Sequence, residues 1–148
     1  VELFFWHKSF GILLLGLVLL RIAWRLWRPR PPWPELMPRW ERWAARISHA
    51  ALYALMIVAP LSGWVINSAA KFPFSVFGIW ELPAIVTPDK AIQHTAETIH
   101  LGCFVLFAVT LSLHIIASLR HHFVLRDNVL ISMLPIGGDN RPHREELG

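Results

Sequence analysis

Apolar and polar positions along this chain fall into long blocks, not short periods. The first block, about residues 3–24, carries Leu13, Leu14, Leu15, Leu17, Val18, Leu19 and Leu20 with no helix breaker among them. The second, about 47–69, contains no acid or base between Arg46 and Lys71. The third, about 98–119, lies between Glu97 and Arg120 and holds apolar and small uncharged residues plus His100 and His114. About 20 predominantly apolar residues cross a bilayer as one helix, so each block predicts a transmembrane span. Pro60 inside the second block is tolerated in a membrane helix and predicts a kink. Gly63 predicts close approach of a neighbour. The fold class that follows is an all-α integral membrane protein, a transmembrane helical bundle.

The segments between the blocks read differently. The first connector holds Pro29, Pro31, Pro32, Pro34 and Pro38 and is expected to be extended and non-helical up to Arg46. Its Trp33, Trp40 and Trp43 suit a membrane interface. The second, about 70–96, contains FPFSVFGIWELPAIV, apolar and aromatic but too broken to span, and is expected to lie along the interface. After the third block the chain turns polar, so a membrane domain over residues 1–135 and a polar tail over 136–148 are expected.

Composition supports the membrane reading. At 148 residues, 55% hydrophobic, with a mean hydropathy of +0.46, the chain is too apolar for a soluble domain of its size. Eight Trp and nine Phe fit interfacial belts. The net charge of +4 does not point to nucleic acid, because the bases cluster beside apolar spans. Membrane lipid is the expected surrounding. Cys103 is the one cysteine and lies inside a span, which excludes an internal disulfide. Seven arginines run from Arg21 to Arg46 and four more from Arg120 onward, whereas the second connector holds only Lys71 and Lys90. This asymmetry places the first connector and the C-terminus in the cytoplasm and the N-terminal end outside. No cleavable leader pattern is visible, so a further helix ahead of Val1 is expected.

The histidines carry the candidate chemistry. At about 100° and 1.5 Å per residue, the fourteen steps from His100 to His114 return to nearly one face and rise roughly 21 Å. One imidazole then lies near each membrane surface. His7 and His100 each open a span running inward, so they share a depth near the outer surface. Two imidazoles facing each other across a helix gap make a bis-histidine haem site; the alternative is that each is an interfacial polar residue. Gly11, one turn after His7, and Gly102, close to His100, would leave room for a flat macrocycle. The residues leave open whether His49, which starts the second span from the inside, pairs with His114 or hydrogen-bonds a haem propionate or a headgroup. His121 and His122 either belong to a solvated basic tail or contact a quinone headgroup or a propionate at the inner surface. No HExxH, CxxC, GxGxxG or Walker pattern occurs. No carboxylate lies inside a span, which gives a proton-coupled transporter little to work with.

These motifs together resemble the bacterial cytochrome b561 family, similar to the di-haem cytochrome b subunits of nickel hydrogenases and formate dehydrogenases. The resemblance rests on HKSFG from His7 to Gly11, SHAALYALMIVAPLSGW from Ser48, VTPDK before the third span, and IH at Ile99–His100. LH at Leu113–His114 and HHFVLRDNVLISMLP from His121 to Pro135 complete it, so that it covers nearly the whole chain. It implies a four-helix bundle with two b-type haems, of which three spans are present, Val1 falling where the family's second helix begins. His7 and His100 would hold the outer haem. His114 would hold the inner one with a histidine of the family's first helix, and His49 would lie beside it. The irons would stand roughly 20 Å apart along the third helix. The implied function is electron transfer in the bacterial inner membrane between a quinone, ubiquinone or menaquinone, and an outer-face partner, with superoxide:quinone oxidoreduction in some members. His121 is the residue expected at the quinone end. A membrane anchor or relay subunit of a hydrogenase- or dehydrogenase-type complex is the alternative.

Overall fold

The computed structural model describes residues 2–28, 38–121 and 123. The proline cluster from Pro29 to Pro34, His122, the exit motif beyond residue 123 and the tail 136–148 lie outside the described residues. Three long helices make up most of the structure: α1 (Glu2–Trp27), α2 (Arg39–Ala69) and α3 (Lys90–Arg120). All three are long and apolar enough to cross a membrane. At 1.5 Å per residue they measure about 39 to 46 Å, against a hydrocarbon core of about 30 Å. The chain divides into two compact units, Val1–Ser112 and Leu113–Gly148, with the boundary inside α3.

Two helices begin earlier than the apolar blocks suggest, and local hydrogen bonding explains both. Arg39–Arg46 was expected to be extended, yet it forms the first two turns of α2. Pro38 leads into the helix, its carbonyl accepting from the Arg42 N–H at 3.2 Å. Glu41 in the first turn suits the positive end of the helix dipole. Trp40 and Trp43 stay largely exposed on these turns, as interfacial residues would. α3 starts at Lys90, about two turns before the predicted span, because Asp89 caps it. Its carboxylate accepts from the Ala91 and Ile92 N–H groups at 2.7 and 3.0 Å, a cap that stabilises a helix by about 1 kcal/mol. Pro60 lies inside α2 without ending it.

α2 ends in a turn of the Schellman kind. Phe72 N–H donates to the Asn67 carbonyl and Lys71 N–H to the Ser68 carbonyl, with Lys71 left-handed at φ 59°. The second connector then departs from a plain interfacial stretch. Strands β1 (Phe74–Val76) and β2 (Trp80–Leu82) pair antiparallel, Phe74 with Leu82, Ser75 with Glu81 and Val76 with Trp80. The turn between them puts Phe77 and Gly78 at φ 52° and 69°. A non-glycine residue held there needs support. Phe77 has it: its N–H donates to Ser9 Oγ at 2.9 Å, and its ring packs edge-on against Trp6 and Phe10. Ser9 is fully buried by this contact.

α1 and α2 pack closely in antiparallel register. Lys8 Nζ donates to Asn67 Oδ1 at 3.0 Å, Gly11 faces Pro60, and Arg21 Nε donates to the Tyr53 hydroxyl at 3.0 Å. The remaining helix surface is apolar and open: Leu3, Leu20, Leu101, Phe104, Leu113 and Ile116 are each more than three-fifths exposed. Such surface is stable against lipid tails, not against water. In the second unit the described residues are the last turns of α3 with His121 and Phe123; His114 is half-buried, and Ser118 and His121 are buried.

Candidate functional site

The HKSFG motif sends successive side chains to different sides of α1. Lys8 goes to α2, Ser9 to the hairpin, and His7 to α3. The rings of His7 and His100 lie 5.8 Å apart between centroids with their planes at 84°. Two residues 93 positions apart in sequence are thus brought edge-on to one another by packing. Two metal–nitrogen bonds take about 4 Å and the two half-rings a little over 2 Å more, so the rings stand about half an ångström closer than two ligands of one ion would.

His100 is the more firmly held. Its Nδ1 lies 2.9 Å from the Ala59 carbonyl and 3.0 Å from Ser62 Oγ. Ser62 Oγ itself donates to the Ala59 carbonyl at 2.7 Å. A carbonyl can only accept, and the serine proton is already committed to it. Nδ1 therefore carries a proton, and in the neutral ring Nε2 keeps its lone pair. Neutral imidazole with one nitrogen anchored to a carbonyl is the form in which histidine ligates a metal. The ring lies against α2 at Gly63, where a Cβ would stand 3.4 Å from His100 Cε1. The donor set, two imidazoles on facing membrane helices, fits a low-spin b-type haem iron.

The other predicted residues fall as follows. Gly11 faces α2, where an added Cβ would lie 4.0 Å from Pro60 Cβ, and Gly102 has nothing within 4 Å of that position. His49 is half-buried in α2 within the first unit. His114 and His121 belong to the second unit. Ser62 and the Ala59 carbonyl were not singled out in the sequence; the signal for them was PLSGW, a serine–glycine pair just after a proline in an otherwise apolar span. An apolar cavity of about 490 Å³ lies between α2 and α3, lined by Val58, Leu61, Val65, Ile92, Ala96 and Ile99 among others. Among the described residues no group of three or more His, Cys, Asp or Glu side chains could hold a metal ion by themselves.

Comparison with known proteins identifies the family. A family model described as prokaryotic cytochrome b561 matches residues 1–136. The chain is 37% identical over 129 residues to cytochrome b561 homolog 2 of Escherichia coli strain K12, covering 86% of this chain and 68% of that protein. It is 30% identical over 129 residues to the probable superoxide oxidase CybB of Yersinia pestis, covering 87% and 73%. Cytochrome b561 homolog 1 of the same E. coli strain is 28% identical over 134 residues, with the same coverage. With three membrane-crossing helices, two apposed imidazoles and this similarity, the chain belongs to the prokaryotic cytochrome b561 family of multi-pass membrane proteins, which carry b-type haem and transfer electrons.

Proposed function

We propose that His7 and His100 are the axial ligands of one b-type haem near the outer membrane surface. On this reading the protein passes electrons between that haem and the quinone pool. The observation that carries it is the 5.8 Å approach of the two rings, with Nδ1 of His100 tied to α2. A haem bound there supplies a one-electron carrier. The chain's own residues do the rest. α1 and α3 fix the spacing of the imidazoles, Ala59 and Ser62 hold one tautomer, and the apolar spans keep water away from the iron. His114 serves the inner haem. His121 meets the quinone headgroup, where an imidazole can donate to a carbonyl and move a proton.

The 30% identity to a probable superoxide oxidase supports a finer reading. Two superoxide ions each give one electron and leave as dioxygen, while one quinone takes two electrons and two protons to become quinol. Residues 1–135 then form the domain in the bacterial inner membrane, and residues 136–148 a cytoplasmic tail. The test is His7→Ala in the purified protein. It should remove one haem from the pyridine haemochrome count and leave any other in place. Full haem occupancy in that variant would refute the pairing.

A further inference from the structure

The contact between α2 and His100 does more than bring two helices together. Ser62 lies one helical turn past Ala59 and is itself buried, 7% exposed. Its oxygen and the Ala59 carbonyl converge on a single ring nitrogen at 3.0 and 2.9 Å. Two acceptors from one turn of one helix fix both the rotation of the imidazole about its Cβ–Cγ bond and the direction of its Nδ1–H. Gly63 completes the cradle. A Cβ there would touch the ring edge, 3.4 Å from Cε1, without displacing it.

We infer that Ser62 is a positioning residue for His100, setting the ring's orientation and its electron donation to the haem iron. The inference rests on the reading of His100 as a haem ligand. A hydrogen bond accepted from Nδ1–H makes the opposite nitrogen a stronger donor. A stronger donor stabilises the ferric over the ferrous state, so the intact cradle holds the potential of this haem down. Removing the hydroxyl leaves only the Ala59 carbonyl, frees the ring to turn, and shifts the balance toward the ferrous form.

Redox titration and low-temperature electron paramagnetic resonance of the full-length haem-loaded protein test this, on Ser62→Ala, Ser62→Thr, Gly63→Ala and His100→Ala. Ser62→Ala should keep its haem and raise the midpoint of one haem. A tenfold loss of ferric preference would read as about 59 mV for a one-electron couple. The low-spin signal of the same haem should move with it. Ser62→Thr restores the hydroxyl and should restore both readouts. Gly63→Ala keeps the hydroxyl and adds a methyl at van der Waals contact with the ring, so both readouts should stay near wild type; a shift as large as that of Ser62→Ala would overturn the role given to the hydroxyl. Loss of the haem from Ser62→Ala, with retention in Ser62→Thr, would support the same role more strongly. Wild-type midpoint and signal in Ser62→Ala would overturn it. His100→Ala separates the two levels. If it loses one haem while Ser62→Ala is unshifted, only the positioning role fails. If it keeps every haem, the ligand reading fails with it.

Discussion

The two faces that α2 presents within the first unit are built on opposite plans. Toward α1 it closes tightly. A glycine meets a proline ring, a lysine reaches an asparagine amide, and an arginine reaches a tyrosine hydroxyl. Toward α3 it leaves an apolar cavity of about 490 Å³, bridged at its edge by one imidazole bound to a carbonyl and a hydroxyl. The first seam is held by packing, as membrane helices are when no hydrophobic force draws them together. The second is held by a side chain whose other nitrogen is left to bind something else. The difference teaches that one helix can pack through its side chains on one face and hold a single polar anchor on the other, where His100 is tied by its Nδ1.

Four substitutions probe that contrast. The largest effect belongs to His100→Ala, which removes the bridge and, on the proposed pairing, a ligand. It should cost one haem, read as a lost fraction of Soret absorbance against protein. Next is Gly11→Leu at the tight seam. Its side chain must enter space already taken by Pro60, and overpacking of this kind costs about 1–3 kcal/mol. The thermal midpoint in detergent should fall accordingly, and an unchanged midpoint would show that the seam is looser than described. Asp89→Ala removes the cap of α3 and should cost about 1 kcal/mol, measured as faster amide hydrogen exchange at Ala91 and Ile92 with haem content unchanged. The smallest effect is expected from Ala91→Leu, at the mouth of the open seam. It should lie within about 0.5 kcal/mol of the parent. A loss comparable with that of Gly11→Leu would erase the contrast.

The spans were plain in the sequence because blocks of some twenty apolar residues have few other folded fates. Their ends were not. Arg39–Arg46 carries four charges and two tryptophans, so hydropathy reads it as connector, while Pro38 and the dipole start a helix there. Residues 90–97 include Gln93, His94 and Glu97 and look equally unlike a span, yet the Asp89 cap begins α3 before them. The hairpin was hidden for another reason. Its turn uses a phenylalanine at positive φ, and the serine that stabilises it is 68 positions away.

His7 and His100 were legible as a pair because each opens a span that runs inward, and the bilayer gives such positions a common depth. Gly63 was legible as a site of close approach, though not of what approaches. Ser62 was legible only as a small polar residue.

What the sequence determined by itself is a helical membrane protein with imidazoles at set heights. Length, hydropathy and the 3.6-residue period are properties of each segment alone. Only the tertiary structure decided which helix faces which, that the rings of residues 7 and 100 meet, and that α2 holds one of them by its Nδ1. Rotation of a helix about its own axis moves no residue in depth. No count along the chain can fix that rotation; side-chain contacts between helices do.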